Sequence, residues 1–209
     1  MNKINKKTNL GVLVLLVWLG AVTASYGQFS EGAKAVGGGI GFSSRNTDYK
    51  VGTDTKFRNF YFTTNAGYFV MENLEAGMSL SAGTEKYEQE LASGDVETKA
   101  NEFKIGPYAR LYNPLTEVIS VFAELGINFG FGGDGEDQRI RTFDSGISPG
   151  ILLLLDKNLA MEARLGYLGY SRRAEGDKDN FEDTRITSGG FDAGFDLSRI
   201  RFGFRLYIN

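Results

Sequence analysis

Among 209 residues there is no cysteine, no histidine and only three prolines. The missing thiols exclude disulfides, thiolate metal sites, cysteine nucleophiles and a lipid carried on an N-terminal cysteine. The missing imidazoles exclude Ser-His triads, Asp-His dyads and histidine-ligated zinc. Long apolar runs are scarce too. Beyond residue 27 the longest is Gly150–Leu155, far short of the roughly 18 residues that a membrane-crossing helix needs. A formal charge of −3 lacks the basic excess of a nucleic-acid binder, so no nucleic-acid partner is expected. What the chain does have is 28 glycines and 13% aromatics, which points away from helical bundles and disordered tails. Its length suits one domain, because all-β barrels reach about 200–250 residues as single units.

The start of the chain reads as a cleavable signal peptide. Lys3, Lys6 and Lys7 precede an apolar run from Leu10 to Val22, and small residues follow at Ala24 and Gly27. Cleavage is expected after Ala24 or Gly27, giving a leader over 1–27 and a barrel domain over 28–209. Without the leader the chain holds 20 basic and 26 acidic residues, a net charge of −6.

From Val36 onward apolar residues recur with period two, the strand signal. Eight segments show it, over 36–43, 59–68, 74–83, 103–112, 119–129, 143–153, 161–170 and 199–208. In the third, Leu74, Ala76, Met78, Leu80 and Ala82 alternate with Glu75, Gly77, Ser79, Ser81 and Gly83. In the seventh, Met161, Ala163, Leu165 and Tyr167 oppose Glu162, Arg164, Gly166 and Tyr170. Connections alternate between tight (Met71–Asn73, Asn113–Glu117, Asp156–Asn158) and long and polar (near 46–55, 86–99, 132–139 and 171–190). That alternation describes an up-and-down meander whose ends face different compartments.

Side-chain volume decides which face is outside. The apolar faces carry Phe, Ile, Leu and Met, too bulky for an eight-stranded lumen, while the polar faces carry Gly, Ser, Asn, Thr and charges that fit one. Lipid-facing strands leave no tolerable open edge, because each unpaired amide in hydrocarbon costs several kcal/mol. The expected fold is all-β: an eight-stranded antiparallel up-and-down transmembrane β-barrel preceded by a cleavable signal peptide. Tyr68, Phe69, Tyr112 and Tyr207 on the short-turn side, and Phe60, Phe131, Phe143 and Tyr167 towards the long connections, are expected in the two interfacial girdles.

These residues resemble a known family, the small outer-membrane barrels typified by the transmembrane part of outer membrane protein A and by outer membrane protein X. The resemblance covers residues 33–209. It rests on Gly67-Tyr68-Phe69-Val70-Met71-Glu72-Asn73-Leu74, on Ile105-Gly106-Pro107-Tyr108-Ala109-Arg110 and on Ser148-Pro149-Gly150. It implies a non-catalytic, monomeric protein of the cell outer membrane. Its partners would be outer-membrane lipid, the barrel assembly machinery, periplasmic chaperones and an unknown extracellular ligand of the loops. The chain departs from the family in ending Tyr207-Ile208-Asn209 rather than on an aromatic residue.

The inward faces collect Glu75, Lys104, Arg110, Glu124, Glu162, Arg164, Arg201 and Arg205. Charges in a closed, low-dielectric lumen have to be paired, so these eight are expected to form an ion-pair network plugging the interior. A gated pore in which the pairs exchange partners is the functional variant. The string Gly130-x-Gly132-x-x-Gly135 lacks the following helix that a dinucleotide site requires. Acidic groups at Asp134, Glu136 and Asp137, and at Glu175, Asp177, Asp179, Glu182 and Asp183, have no calcium-loop spacing and read as solvated surface. No catalytic residue, metal site or cofactor is expected. Near the end of the chain the parity flips: Phe191, Ala193, Phe195 and Leu197 follow one phase and Ile200 onward the other. A bulge or a turn is therefore expected at Asp196–Arg199, with a bulge favoured. Equal spacing from a Leu159–Asn209 pair places Arg172 opposite Asp196, which puts the flip at the loop-side rim. Alternatives to a role in envelope integrity or surface interaction are a small porin-like channel and a surface adhesin or resistance factor.

Overall fold

The computed structural model describes residues 29–47, 55–91, 94–135, 137–194 and 201–208. The expected leader lies outside the described residues. Ten strand segments and one helical turn follow in order: β1 (Lys34–Thr47), β2 (Thr55–Met71), β3 (Leu74–Leu91), β4 (Gly94–Pro114), β5 (Ile119–Gly133), β6 (Gln138–Leu154), β7 (Leu159–Arg164), β8 (Tyr167–Asp177), α1 (Phe181–Thr184), β9 (Ile186–Gly194) and β10 (Arg201–Ile208). Every pairing is antiparallel, each of β1 to β5 pairs with the next strand in sequence, and β1 closes the ring on β10 from Lys34↔Ile208 to Gly41↔Arg201. Segments β7 and β8 both pair with β6, and their outer partners are β10 and β9 respectively. They form one interrupted stave, as do β9 and β10, so ten segments make an eight-stranded up-and-down barrel.

Alternation fixes which face is which. Phe62, Leu80 and Ile127 are 50%, 39% and 37% exposed on the outer wall, whereas Arg110 and Arg205 are fully buried inside it. This inversion of the soluble pattern requires an apolar surrounding. On β3 the outward apolar series runs from Leu74 to Ala82 and gives way to Thr84, Lys86 and Glu88. Leu74 to Thr84 is eleven residues, matching the roughly 9–11 that a tilted strand needs to cross hydrocarbon. The turn between β2 and β3 takes only Glu72 and Asn73, with Asn73 at φ 60°, a left-handed conformation that asparagine tolerates better than most residues.

Several sequence expectations need correction. The polar stretches near 86–99 and 171–190 are largely strand. The β3–β4 ladder stays paired from Thr84↔Asn101 out to Leu91↔Gly94, and β8 continues to Asp177 before α1. Above the membrane neither face has to be apolar, so the alternation fades while the backbone ladder continues. The strand-seven parity fails at Leu165–Gly166. Three residues there, 165–167, face two on β6, between the Gly150↔Arg164 and Ile147↔Leu168 pairs. One extra residue turns Tyr167 inward and leaves Tyr170 outward, the reverse of the uninterrupted reading.

The spacing of the last stave also differs. Leu159 pairs with Leu206 and Arg172 with Gly189, because residues 195–200 put six positions against the two at 165–166. Segments β9 and β10 run in the same direction along one stave, with Gly194 opposite Tyr167 and Arg201 opposite Arg164, and the bulge or turn expected at Asp196–Arg199 falls between them. The backbone of 195–200 itself falls outside the described residues.

Candidate functional site in the lumen

Three layers fill or line the interior, starting from the short-turn end. The first is apolar: Phe69, Tyr112, Phe122, Leu152 and Tyr207 project inward and pack with Ala35 and Ala160. Phe29, just before β1, completes this floor. Its ring lies parallel to Phe69 with 5.4 Å between centroids, and stands 4.6 and 4.9 Å from Tyr112 and Tyr207. The segment is tied down by its backbone, with Gly32 N donating to Phe69 O at 3.0 Å and Asn73 N donating to Phe29 O at 3.0 Å. Phe69, Tyr112 and Tyr207 are therefore floor residues and not interfacial girdle; Tyr68, 47% exposed, is the one of the four that faces outward. They share the inward parity of their strands. Phe29 belongs to no periodic segment, so no pattern in the sequence marks it.

Above the floor sits a compact charge cluster. Glu75 accepts hydrogen bonds from the hydroxyls of Tyr108 and Tyr112, the latter at 2.6 Å, and from Arg205 Nη2. Arg110 Nη1 donates to Glu162 Oε2 at 2.6 Å, while its Nε and Nη2 both donate to Glu124 Oε2, the former at 2.9 Å. Arg164 Nη2 reaches Glu124 Oε2 at 3.0 Å and Glu162 Oε1 at 3.3 Å. Arg205 Nη1 donates to Asn65 Oδ1 at 2.9 Å, and Nη2 to the Tyr108 hydroxyl at 2.8 Å. The Arg110 guanidinium also lies 4.4 Å from the Phe122 ring centroid, joining this layer to the floor.

Three arginines and three glutamates thus neutralise one another. The cluster spans the lumen from β3 and β4 to β7 and β10. Buried charges with this many partners are retained only because each is bonded; removal of one leaves the others stranded. Gly67 provides the room, since a Cβ there would lie 2.1 Å from Glu75 Oε1 and 2.5 Å from the Tyr108 hydroxyl.

The third layer is an open cup. A cavity of about 330 Å³ faces the long connections, lined by Tyr61, Thr63, Asn65, Ser79, Ser81, Asn128 and Tyr167 among others. Two of the eight sequence-nominated charges sit here, apart from the central cluster. Lys104 bridges Asp144 at 2.7 Å and Glu102 at 3.2 Å, both of which the sequence reading passed over. Arg201 donates to Ser148 Oγ at 3.4 Å and lies 5.9 Å from the Tyr61 ring centroid. The hydroxyls of Tyr108 and Tyr112 and the amide of Asn65 are the polar partners that sequence alone missed; their inward parity was the available signal. Among the described residues no three acidic side chains converge as a hard-cation site, and Glu182 instead pairs with Arg141 and Arg185 at 3.3 and 2.7 Å.

An eight-stranded antiparallel barrel with an apolar exterior and a bonded, charged interior defines the small outer-membrane β-barrel fold. Comparison with solved structures gives the same fold. The outer membrane protein OprG from Pseudomonas aeruginosa superposes with a TM-score of 0.56 at 10% identity, over 87% of this chain and 98% of that one. Two further structures align with lower scores. Neisserial surface protein A gives a TM-score of 0.42 at 16% identity, over 83% of this chain and 94% of that one. The Yersinia pestis outer membrane protein Ail gives 0.33 at 18% identity, over 84% and 100%. At these identities the shared property is the fold. No protein-family model and no curated protein matches the chain.

Proposed function

We propose that this protein is a non-catalytic barrel of the outer membrane whose lumen is shut and whose work is done by the structures it raises above the membrane, in surface interaction or envelope integrity. The observation that carries this reading is the double closure of the lumen. A layer of Phe29, Phe69, Tyr112, Phe122 and Tyr207 lies directly beneath a neutral cluster of three arginines and three glutamates. With its lumen filled at this level by buried rings and paired charges, the barrel would act as a rigid anchor. The β3–β4 ladder extends it beyond the apolar belt, out to the Leu91↔Gly94 pair.

The test is protease treatment of intact cells. Trypsin is expected to cut at Lys178 or Arg185, exposed in the connection between β8 and β9, while the strands within the apolar belt stay protected, and purified protein in planar bilayers is expected to stay electrically silent. Cleavage seen only after the cells are permeabilised would place the long connections on the wrong side and sink the reading.

A gated channel is the second reading, favoured by one feature. Glu162 lies within 4 Å of Arg110, Arg164 and Arg205, and Glu124 is shared by Arg110 and Arg164, so alternative pairings are within reach of small rotations. Steady conductance that changes when Arg110 and Glu124 are exchanged would support it.

A further inference from the structure

We propose that the cup on the loop side of the lumen is a binding site for a small hydroxylated carboxylate, held at its acid group by Arg164 and Arg201. Charge pairing within the cup singles out the anion. Every carboxylate lining it is already bonded to a cation: Glu85 to Arg173 at 2.9 Å, Glu102 and Asp144 to Lys104, and Glu124 to Arg164. Among the described residues an ammonium group entering the cup would find no free acid. Arg201 differs, because among the described residues no carboxylate lies within salt-bridge distance of it, and its bond to Ser148 Oγ is long at 3.4 Å.

Arg201 is also the direct register partner of Arg164 across β10 and β7, and both line the cup. Like charges placed opposite each other on one sheet face repel, and an anion between them removes the penalty. Arg164 is 6% exposed, and its Nε is buried without a hydrogen-bond partner although Nη2 is engaged by Glu124 and Glu162. An uncommitted guanidinium donor beside a guanidinium with no acid matches the two oxygens of a carboxylate.

The remaining wall specifies the body of the ligand. Hydroxyls and amides of Thr63, Ser79, Ser81 and Asn128 offer both donors and acceptors, and Tyr61 and Tyr167 add aromatic surface. The 330 Å³ volume falls at the small end of the roughly 300–1,000 Å³ typical of ligand clefts. A monosaccharide acid has this chemistry. The site is independent of what the loops contact, and it stands or falls separately from the surface-interaction reading.

The experiment is an NMR titration of the refolded barrel in detergent micelles, following arginine Nε–H and backbone amide signals. The probes are sodium D-glucuronate, D-glucose, sodium acetate and sodium phosphate. Glucuronate is expected to shift Arg164, Arg201 and Ser148 saturably, with glucose and acetate each at least about tenfold weaker. Arg201→Gln is expected to weaken glucuronate by about tenfold or more, and Arg201→Lys by less, because the ammonium keeps charge without the fork. Both variants are checked for heat-modifiable gel migration. Failure of glucuronate to saturate, equal response to acetate or phosphate, or unchanged binding in Arg201→Gln would overturn the proposal and leave a cup that holds water and adventitious ions only.

Discussion

Arg110 shows what a single residue contributes in this barrel. Its guanidinium is fully buried, bonds to Glu124 and Glu162 at once, and rests against Phe122. Arg110→Ala strips a partner from Glu162, which is buried, and from Glu124, which also lines the cup. The expected cost is about 3–5 kcal/mol, the range found when one member of a buried pair is removed. On the opposite face of the wall, Leu80→Arg leaves every lumen bond intact but sets a charge against acyl chains. Its expected cost is about 2–4 kcal/mol, set by depth in the bilayer. Both figures can be read from urea titrations of the barrel in phospholipid vesicles. A neutral Leu80→Arg would reverse the assignment of faces.

The β3–β4 hairpin shows how an element outlives its sequence signal. Within the belt it alternates cleanly; above Thr84 and Asn101 its outward positions become Lys86, Glu88, Glu97 and Lys99, where Lys86 pairs along β3 with Glu88 at 2.7 Å and across the ladder with Glu97 at 2.8 Å, and Lys99 pairs along β4 with Glu97 at 2.8 Å. Lys86 holds the carboxyl groups of Glu88 and Glu97 below the ordinary glutamate range, with Lys99 adding to the effect at Glu97. A glutamate whose acidity is raised in the folded state contributes stability above its unfolded pKa and loses it as pH falls through the folded value. The hairpin end is therefore expected to loosen only below the usual glutamate titration. Carboxyl NMR should place both midpoints below a free glutamate, and Lys86→Gln should raise that of Glu88, with Arg58 still exerting a smaller pull. The same hairpin is expected to tolerate removal of residues 88–97 with the barrel intact, judged by retained heat-modifiable migration, because these pairs lie outside the belt and away from the lumen.

At the scale of the whole molecule the barrel is a cup with a thick floor. Between Lys34↔Ile208 and Gly41↔Arg201 the β1 edge is sealed on β10, so this seam is not left open to hydrocarbon, as bilayer physics requires. The floor uses large aromatics at the short-turn end and charges above them, so the lumen passes from an open, hydroxyl-lined mouth to an apolar, side-chain-filled base. A ring of alternating strands can produce this gradient because each inward position is an independent choice of side chain, while the outward positions remain uniformly apolar. The short α1 segment adds a small separate cluster on the loop side, where Phe181 is buried with the Arg141 guanidinium 4.5 Å from its ring centroid.

Period-two alternation and the contrast between tight and long connections determined, without coordinates, that the chain is an up-and-down barrel with its greasy face outward. Such features are local, and lipid imposes them on every strand alike. The sequence also nominated Glu75, Arg110, Glu124, Glu162, Arg164 and Arg205, because inward parity plus charge suffices to mark them. Which of them meet was decided only by the closed ring. Glu75 and Arg205 are separated by 130 residues and come together because β1 to β4 curve round to β10. Register set the rest: a single added residue at 165–167 swapped Tyr167 for Tyr170, and six residues against two moved the partner of Arg172 to Gly189. Such shifts leave composition and periodicity on either side unchanged, so their size and place are fixed by hydrogen-bond pairing between neighbouring strands. Phe29 was invisible for a related reason: a plug is defined by the mouth it fills, and that mouth exists only once the barrel has closed.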